Sequence, residues 1–373
     1  MTFAMLSMKR RPKKESHPPE RRPKTLEPKA PTPYIWTVSA LNGTQDIVRD
    51  ELVRRFPRDC TILSHTRDDE IHFTFAGDEH RLLSLSTAQT LLLRKDFDVI
   101  RPRSLLSPER MAAVVDLMRS AGSVKGAMAP SSFRFDAAGS ESPTMRRIAD
   151  QIEQHTDLPF NQKDGDCVIA LRPGKTGWEV LCRVGNRPLA TRDWRRVNYL
   201  GSLNAAIASC MVELARPQKG DRYLNLMCGS GTLLIERLLR QPTRTAIGID
   251  ISEKAVSATR ENVKAAGLSD KAQIVTGDAR ATEFPDESFD TITTDLPWGE
   301  SLGSRKSNLP LYRETLKEAT RLCRSAGFMV ILTQDIASFN KVMSETEAWT
   351  IIDQRRIIQR GYQPLCTTLQ KKP

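Results

Sequence analysis

Asp295, Leu296, Pro297, Trp298 and Gly299 follow the β-branched run FDTITT, and no other five residues of the chain say as much about chemistry. A carboxylate and a backbone carbonyl at a strand exit can accept the two N–H groups of an aromatic amine. Such an amine is a poor nucleophile, because its lone pair is delocalised into the ring. Acceptors on both protons draw the nitrogen toward a tetrahedral, nucleophilic form. Pro297 stiffens the turn and brings no N–H of its own to compete. Trp298 offers a flat face for an extruded base, a stack worth about 1–3 kcal/mol. The bland alternative is a strand-end turn with a surface Trp.

Three earlier strand exits carry compatible groups. After RYLNL come Met227, Cys228, Gly229, Ser230, Gly231 and Thr232, then the helical run LLIERLLR. Two glycines permit a sharp turn and let a ligand approach bare backbone, while a helix N-terminus offers unpaired N–H groups. Leu234 stands where a dinucleotide fingerprint has its third glycine, which weakens NAD or FAD, and no Lys follows the loop as a nucleoside triphosphate would want. The next strand ends at Asp250-Ile251, nineteen residues past Gly231, where an acid can hold both ribose hydroxyls of an adenosine. The third ends at Asp278-Ala279, where a carboxylate can meet the adenine amine. Together these exits favour S-adenosylmethionine, with the target amine held in line with the methyl–sulfur bond at roughly 3–3.5 Å.

The elements that must position these groups follow from the pattern. From about residue 205 strands and helices alternate: RYLNLM, TAIGID, AQIVTG, FDTITT, FMVILT, TIIDQRRI and CTTLQ read as strands. Such alternation specifies a largely parallel α/β sheet with helices on both faces and its ligand at the carboxyl ends of the strands. The first half reads as two α+β units. Residues 34–100 carry YIWTVSAL, an amphipathic helix at GTQDIVRDELVRRF, two strands and a helical run over about 78–93. Residues 101–190 carry the helix SPERMAAVVDLMRSAG, with Ser107 as N-cap and Pro108 in its first turn, then SFRFDAAG, TMRRIADQIEQHT and the hairpin CVIALR/WEVLCRVG. A linker over 191–204 leads into the helix AAIASCMVELA.

Composition sets the outer bounds. The 373 residues suit two or three domains, 39% hydrophobic and 27% charged residues suit a soluble fold, and no run approaches a membrane span. Seven cysteines without a C-x-x-C pair argue against a disulfide framework or a Cys-rich metal site; no metal is expected, and a reducing cytoplasm or nucleus fits. The net charge of +11 makes a polyanion a plausible partner. Residues 1–33 hold nine basic and three acidic residues with seven prolines, and read as a disordered basic tail. In the body, Arg183, Arg187, Arg192, Arg195 and Arg196 cluster in fourteen residues around Trp194, a patch that could hold a phosphate backbone or simply face solvent.

The run LNLMCGSGTLLIE, then GID, GDA and DLPWG, resembles class I S-adenosylmethionine-dependent methyltransferases that act on exocyclic amines. More narrowly, TDLPWGESLGSRKSNLPLYRETLKEATRLCRSAGFMVILTQD is similar to the THUMP-domain tRNA guanine-N2 methyltransferases, and the first half is consistent with that family's ferredoxin-like domain, THUMP domain and linker. The resemblance implies a Rossmann-like, seven-stranded methyltransferase domain over 205–373, preceded by a ferredoxin-like domain over 34–100 and a THUMP RNA-binding domain over 101–190. It implies N2-methylguanosine formation in the tRNA acceptor stem, at position 6 or near it, with the tRNA 3′ end on the THUMP module. Cofactor contacts would fall on Met227 to Thr232, Asp250, Ile251, Asp278, Ala279 and Asp295, and the guanine on Asp295 to Trp298. A monomer suffices for this mechanism, no membrane is involved, and some members of the family need a small activator protein. Two positions depart from the family: Asn225-Leu226 replaces a common Asp-Pro, and Leu296 and Trp298 stand in a motif that often reads Asp-Pro-Pro-Tyr. A ribosomal RNA guanine-N2 or DNA adenine-N6 methyltransferase would use the same loop. An RNA-binding protein with a vestigial methyltransferase domain is the reading of a different class, kept open by Asn225-Leu226.

Overall fold

A computed structural model describes residues 34–64, 67–298, 305–359 and 361–373; the expected basic tail over 1–33 and Gly299 lie outside them. Two seven-stranded sheets organise the rest. The first contains β1 (Ile35–Ser39), β2 (Cys60–Ile62), β3 (Glu70–Phe75), β4 (Thr90–Phe97), β5 (Phe133–Asp136), β6 (Cys167–Pro173) and β7 (Trp178–Arg183), in the order β2-β3-β1-β4-β7-β6-β5. Every neighbour pair is antiparallel except β5 with β6. Alternate residues such as Trp36, Val38, Ile71, Phe73, Leu91, Leu93, Val180 and Cys182 point to one face and form its core. The helices α1 (Gln45–Arg55), α2 (Pro108–Gly122) and α3 (Pro143–Thr156) close that core with Val48, Leu52, Met111, Val115, Ile148 and Ile152. The two α+β units read from the sequence share this sheet, since β4 pairs with β7 from Leu92↔Arg183 to Phe97↔Trp178.

One element differs from expectation. The helical run over 78–93 is a short 3₁₀ helix, Glu79–Ser84, followed by the start of β4. The cause is Glu51, a buried carboxylate on α1. It accepts from the backbone N–H groups of Ser86 and Thr87 and from both hydroxyls, so the donors that would continue a helix are taken. Burial opposes the charge on Glu51, yet those bonds and Arg55 hold its carboxyl below the usual range.

The second sheet contains β8 (Arg222–Leu226), β9 (Thr245–Asp250), β10 (Gln273–Thr276), β11 (Phe289–Asp295), β12 (Cys323–Thr333), β13 (Trp349–Arg356) and β14 (Leu365–Lys371). Its order is β10-β9-β8-β11-β12-β14-β13. The first five strands are parallel, and β14 runs antiparallel between β12 and β13. The helices α4 (Ala205–Leu214), α5 (Thr232–Arg240), α6 (Glu253–Ala265), α7 (Arg305–Leu322) and α8 (Ile336–Ser344) complete the Rossmann-like α/β layers. The order reverses at β8, whose neighbours β9 and β11 leave in opposite directions, so a crevice opens at the carboxyl ends of β8, β9 and β11. Among the described residues no helix is long and apolar enough to cross a membrane.

Candidate functional site

The crevice begins where β8 ends. Met227, Gly229 and Gly231 all take positive φ, at 51°, 55° and 82°, so the chain folds back on itself before α5 starts. A Cβ at Gly231 would come within 2.7 Å of Thr259, which excludes larger residues, while one at Gly229 would meet nothing within 4 Å. The backbone at Gly229 is therefore open to a ligand. Gly231 caps α5 without a side-chain bond, which leaves the helix N-terminus with donors to offer. Cys228 is buried, and burial pushes its thiol up to about 12, so it has no nucleophilic part to play.

Asp250 ends β9 with one carboxylate oxygen accepting from Gly229 N–H at 2.9 Å and the other from Ser252 N–H at 2.9 Å. The acid is thereby aimed across the Gly-rich turn. Asp278, beyond β10, accepts from the Arg280 backbone N–H at 2.9 Å and from its guanidinium at 2.6 Å, and that pairing holds its carboxyl below the usual range. Arg280 also reaches Glu314 at 3.2 Å. An adenine amine arriving at Asp278 must share the carboxylate with this arginine.

Asp295 closes β11. Among the described residues its one side-chain bond comes from the Trp298 indole N–H at 3.2 Å, and burial pushes its carboxyl up to about 7. Leu296 is anchored as core, 3% exposed, with its N–H on Leu332 carbonyl at 2.9 Å. The carbonyl of Pro297 accepts from Tyr312 Oη at 2.5 Å, and Thr333 Oγ1 lies 2.8 Å from the same hydroxyl. Tyr312 thus fixes the turn from α7 through the Pro297 carbonyl. The Trp298 ring lies 5.4 Å from the ring of Tyr362, tilted by 52°. Tyr362 sits in a tight turn whose Gln359 and Tyr362 exchange backbone bonds at 3.0 and 2.9 Å.

These groups line one cleft of about 1070 Å³. It gathers Met227, Cys228, Gly229, Ser230, Thr232, Asp250, Ile251, Asp278, Ala279 and the run from Asp295 to Trp298; Gly231 is not part of its lining. Acceptors for ribose, for adenine and for a target amine therefore share a single enclosure, open to bare backbone at Gly229. The donor set fits an adenosyl sulfonium cofactor. Among the described residues no group of three or more His, Cys, Asp or Glu is placed to hold a metal ion.

Residues 192–363 match the family UPF0020, described as an RMKL-like methyltransferase domain. This stretch is an RMKL-like methyltransferase domain. Among relatives, the tRNA (guanine(6)-N2)-methyltransferase of Thermus thermophilus is 26% identical over 88% of this chain and 97% of its own length. The U6 snRNA (guanine-N(2))-methyltransferase THUMPD2 of Bos taurus is 32% identical over 40% of this chain, a stretch that spans only 28% of that protein. The crystal structure of TrmN from Thermus thermophilus covers 91% of this chain and 99% of its own with a TM-score of 0.72 at 22% identity, a likeness of fold.

The arginine patch lies at the entrance to the methyltransferase domain, and its members differ. Arg192 pairs with Glu236 at 2.8 Å and donates to the Ser86 carbonyl at 2.6 Å, tying α5 to the first sheet's β4 connection. Arg195 donates to the Leu203 carbonyl at 2.7 Å and to Thr232 Oγ1 at 3.1 Å. Arg183 bonds the carbonyls of Asp166 and Asn186, and Arg187 pairs with Asp193. Arg196 is exposed. Only Arg192 and Arg195 reach the cleft wall.

Asn225, which replaces the family's usual Asp, is buried in β8 and donates to the Thr293 carbonyl at 3.2 Å. It is part of the sheet's interior and does not line the cleft of the methyltransferase domain. Tyr199, Asn262, Tyr312 and Tyr362 were not singled out from the sequence. Their signals are weak: a Tyr in a linker, an Asn within a helix, and two aromatic residues near loops. Only the fold brings them to the strand exits.

Proposed function

We propose that this chain transfers a methyl group from S-adenosylmethionine to the exocyclic N2 of a guanine in tRNA, in the acceptor stem at position 6 or near it. The observation that carries the reading is the Asp295 carboxylate, bonded by the Trp298 indole, on the wall of the cleft that also holds Gly229, Asp250 and Asp278. The Thermus relative, similar over nearly its whole length, is named for the same base and position. Likeness to THUMPD2 in the catalytic half favours a second reading, guanine N2 in another RNA.

The backbone from Met227 to Thr232 would cradle the methionine part, Asp250 would accept from the ribose hydroxyls, and Asp278 would accept from the adenine amine beside Arg280. When bound, the cofactor supplies an electrophilic methyl group on a sulfonium. The residues do the rest. The two guanine N2 protons point to an Asp295 carboxylate oxygen and the Leu296 carbonyl, which turns the nitrogen lone pair out of the ring. Trp298 stacks on the extruded base and holds it in line. Tyr312, bonded to Pro297, keeps the turn from yielding. A proton must leave the nitrogen as it is alkylated, and Asp295, pushed up to about 7, is suited to take it at its carboxylate.

The first sheet, read as ferredoxin-like over 34–100 and THUMP over 101–190, would present the tRNA 3′ end, with Arg196 as an exposed cation on the linker. A monomer, with or without a small activator protein, serves this scheme, and seven free cysteines fit a reducing compartment such as the cytoplasm. Incubation with tritiated cofactor and separated tRNA, ribosomal RNA, small nuclear RNA and DNA tests the substrate. Label in the tRNA pool supports the reading, and label in another pool with none in tRNA overturns it.

A further inference from the structure

The linker into the methyltransferase domain crosses the mouth of the cofactor cleft, and it is fastened at both ends. On one side stands Asn262, fully buried on α6. Its Oδ1 accepts from Arg196 N–H at 2.8 Å and Val197 N–H at 2.9 Å. Its Nδ2 donates to the Val197 carbonyl at 3.1 Å and to the Ser230 carbonyl at 3.1 Å. One amide therefore grips the linker and the Gly-rich turn together. On the other side Ser202 Oγ lies 2.9 Å from Ser230 Oγ, and Asn204 caps α4 through Ala206 N–H at 2.8 Å. Both fastenings end on Ser230, inside the turn that would cradle the cofactor.

Between them run residues 198–201, all lining the cleft. Gly201, at φ 77°, turns the chain back. Tyr199 points toward the ribose corner, its hydroxyl 3.5 Å from Ser252 Oγ, and Ser252 in turn donates its N–H to Asp250. Across the same mouth Ile251 is 68% exposed and Leu200 is 66% exposed. Two aliphatic side chains so open stand with the Tyr199 ring on the lining of one cleft, an apolar stretch of its wall. A flat heterocycle whose ribose meets Asp250 would enter there and cover all three.

We propose that residues 197–202 are a strap that closes on the adenosine end of the cofactor, with Tyr199 as its contact and Asn262 as the residue that positions it. The inference rests on the cofactor reading given above. It assigns Tyr199 a binding role through its ring, so Tyr199→Phe should bind like the unaltered chain. Asn262 acts through the strap and through Ser230 and touches no ligand.

Calorimetry with S-adenosylhomocysteine tests the strap. If the unaltered chain fails to bind, the cofactor reading itself falls, and the strap with it. If it binds, Tyr199→Ala should weaken the affinity at least about tenfold, Tyr199→Phe less than about twofold, and Asn262→Ala at least as much as Tyr199→Ala. An unchanged affinity in Tyr199→Ala overturns the strap while leaving the cofactor reading intact. Because Asn262→Ala removes buried bonds, hydrogen exchange on the unaltered chain supplies an independent measure. Amides from 197 to 204 should gain protection when S-adenosylhomocysteine is added. Protection confined to 227–232, 250–252 and 278–280 would overturn the strap.

Discussion

The Trp298 indole N–H donates to the carboxylate of Asp295 across 3.2 Å, and no other hydrogen bond reaches that carboxylate among the described residues. One residue thus orients the acid and presents the stacking face for the base the acid must receive. The pair also sets the protonation state of the site. Burial raises the Asp295 carboxyl to about 7 and the indole bond opposes the rise without cancelling it.

Activity should follow the ionised form of Asp295. A protonated carboxyl offers the amine one fewer acceptor, so kcat/KM is expected to rise tenfold per pH unit below about 7 and to level off above it. A pH–rate profile on RNA substrate checks this. A flat profile between pH 5.5 and 8 contradicts it.

The same shift has a stability consequence of known sign. A carboxyl held above its unfolded value binds its proton more tightly in the fold, so its charge costs stability as pH rises. The cost begins above about pH 4, is complete above about 7, and is absent in acid. Asp295→Asn cannot ionise and should therefore melt a few degrees higher than the unaltered chain at pH 8, with the gap closing steadily toward pH 4.5. Thermal melts across that range measure it, and an equal gap at all pH values contradicts the account.

Trp298 can be split into its two roles. Trp298→Phe keeps a ring to stack and removes the N–H from Asp295, so KM should change little while the pH midpoint of activity moves upward. Trp298→Ala removes the stack as well, and loses about 1–3 kcal/mol of base binding, roughly 5- to 150-fold in KM. Equal effects from both substitutions contradict a stacking role.

The arginines divide by their partners. Arg192→Ala leaves Glu236, 3% exposed, without its counter-ion and should cost about 3–5 kcal/mol of stability, read by denaturant unfolding. Arg196→Ala should leave stability unchanged, weaken RNA binding, and lower the salt slope of log Kd by about one. The reverse assignment of the two effects contradicts this division.

Much of this architecture was legible in the residues. The strict alternation after residue 205 specified the second sheet, and every one of its seven strands overlaps the run read for it. The acids at strand exits fell into one cleft, because a parallel sheet brings its carboxyl ends to one edge whatever the spacing between strands. What stayed hidden depends on contacts far apart in sequence. Leu91 to Leu93 carry an apolar signal that suits helix or strand, and distant partners decide against the helix: the Glu51 carboxylate takes the Ser86 and Thr87 donors, and β1 and β7 pair with β4 on its two edges. The arginine patch reads as loose charge until Glu236, forty-four residues on, is seen to hold Arg192. Tyr312 and Tyr362 reach Pro297 and Trp298 from α7 and from the turn before β14, and no local pattern announces either contact.

The most direct test of the central claim joins the acid to its product. An unmodified tRNA transcript is incubated with S-adenosylmethionine and either the unaltered chain or Asp295→Ala, and its nucleosides are resolved by mass spectrometry. The account predicts N2-methylguanosine with the unaltered chain, and a yield lower by on the order of 10²–10³-fold with Asp295→Ala although that variant still binds S-adenosylhomocysteine. N2-methylguanosine at an undiminished rate from Asp295→Ala, or a methylated adenine in place of guanine, would contradict it.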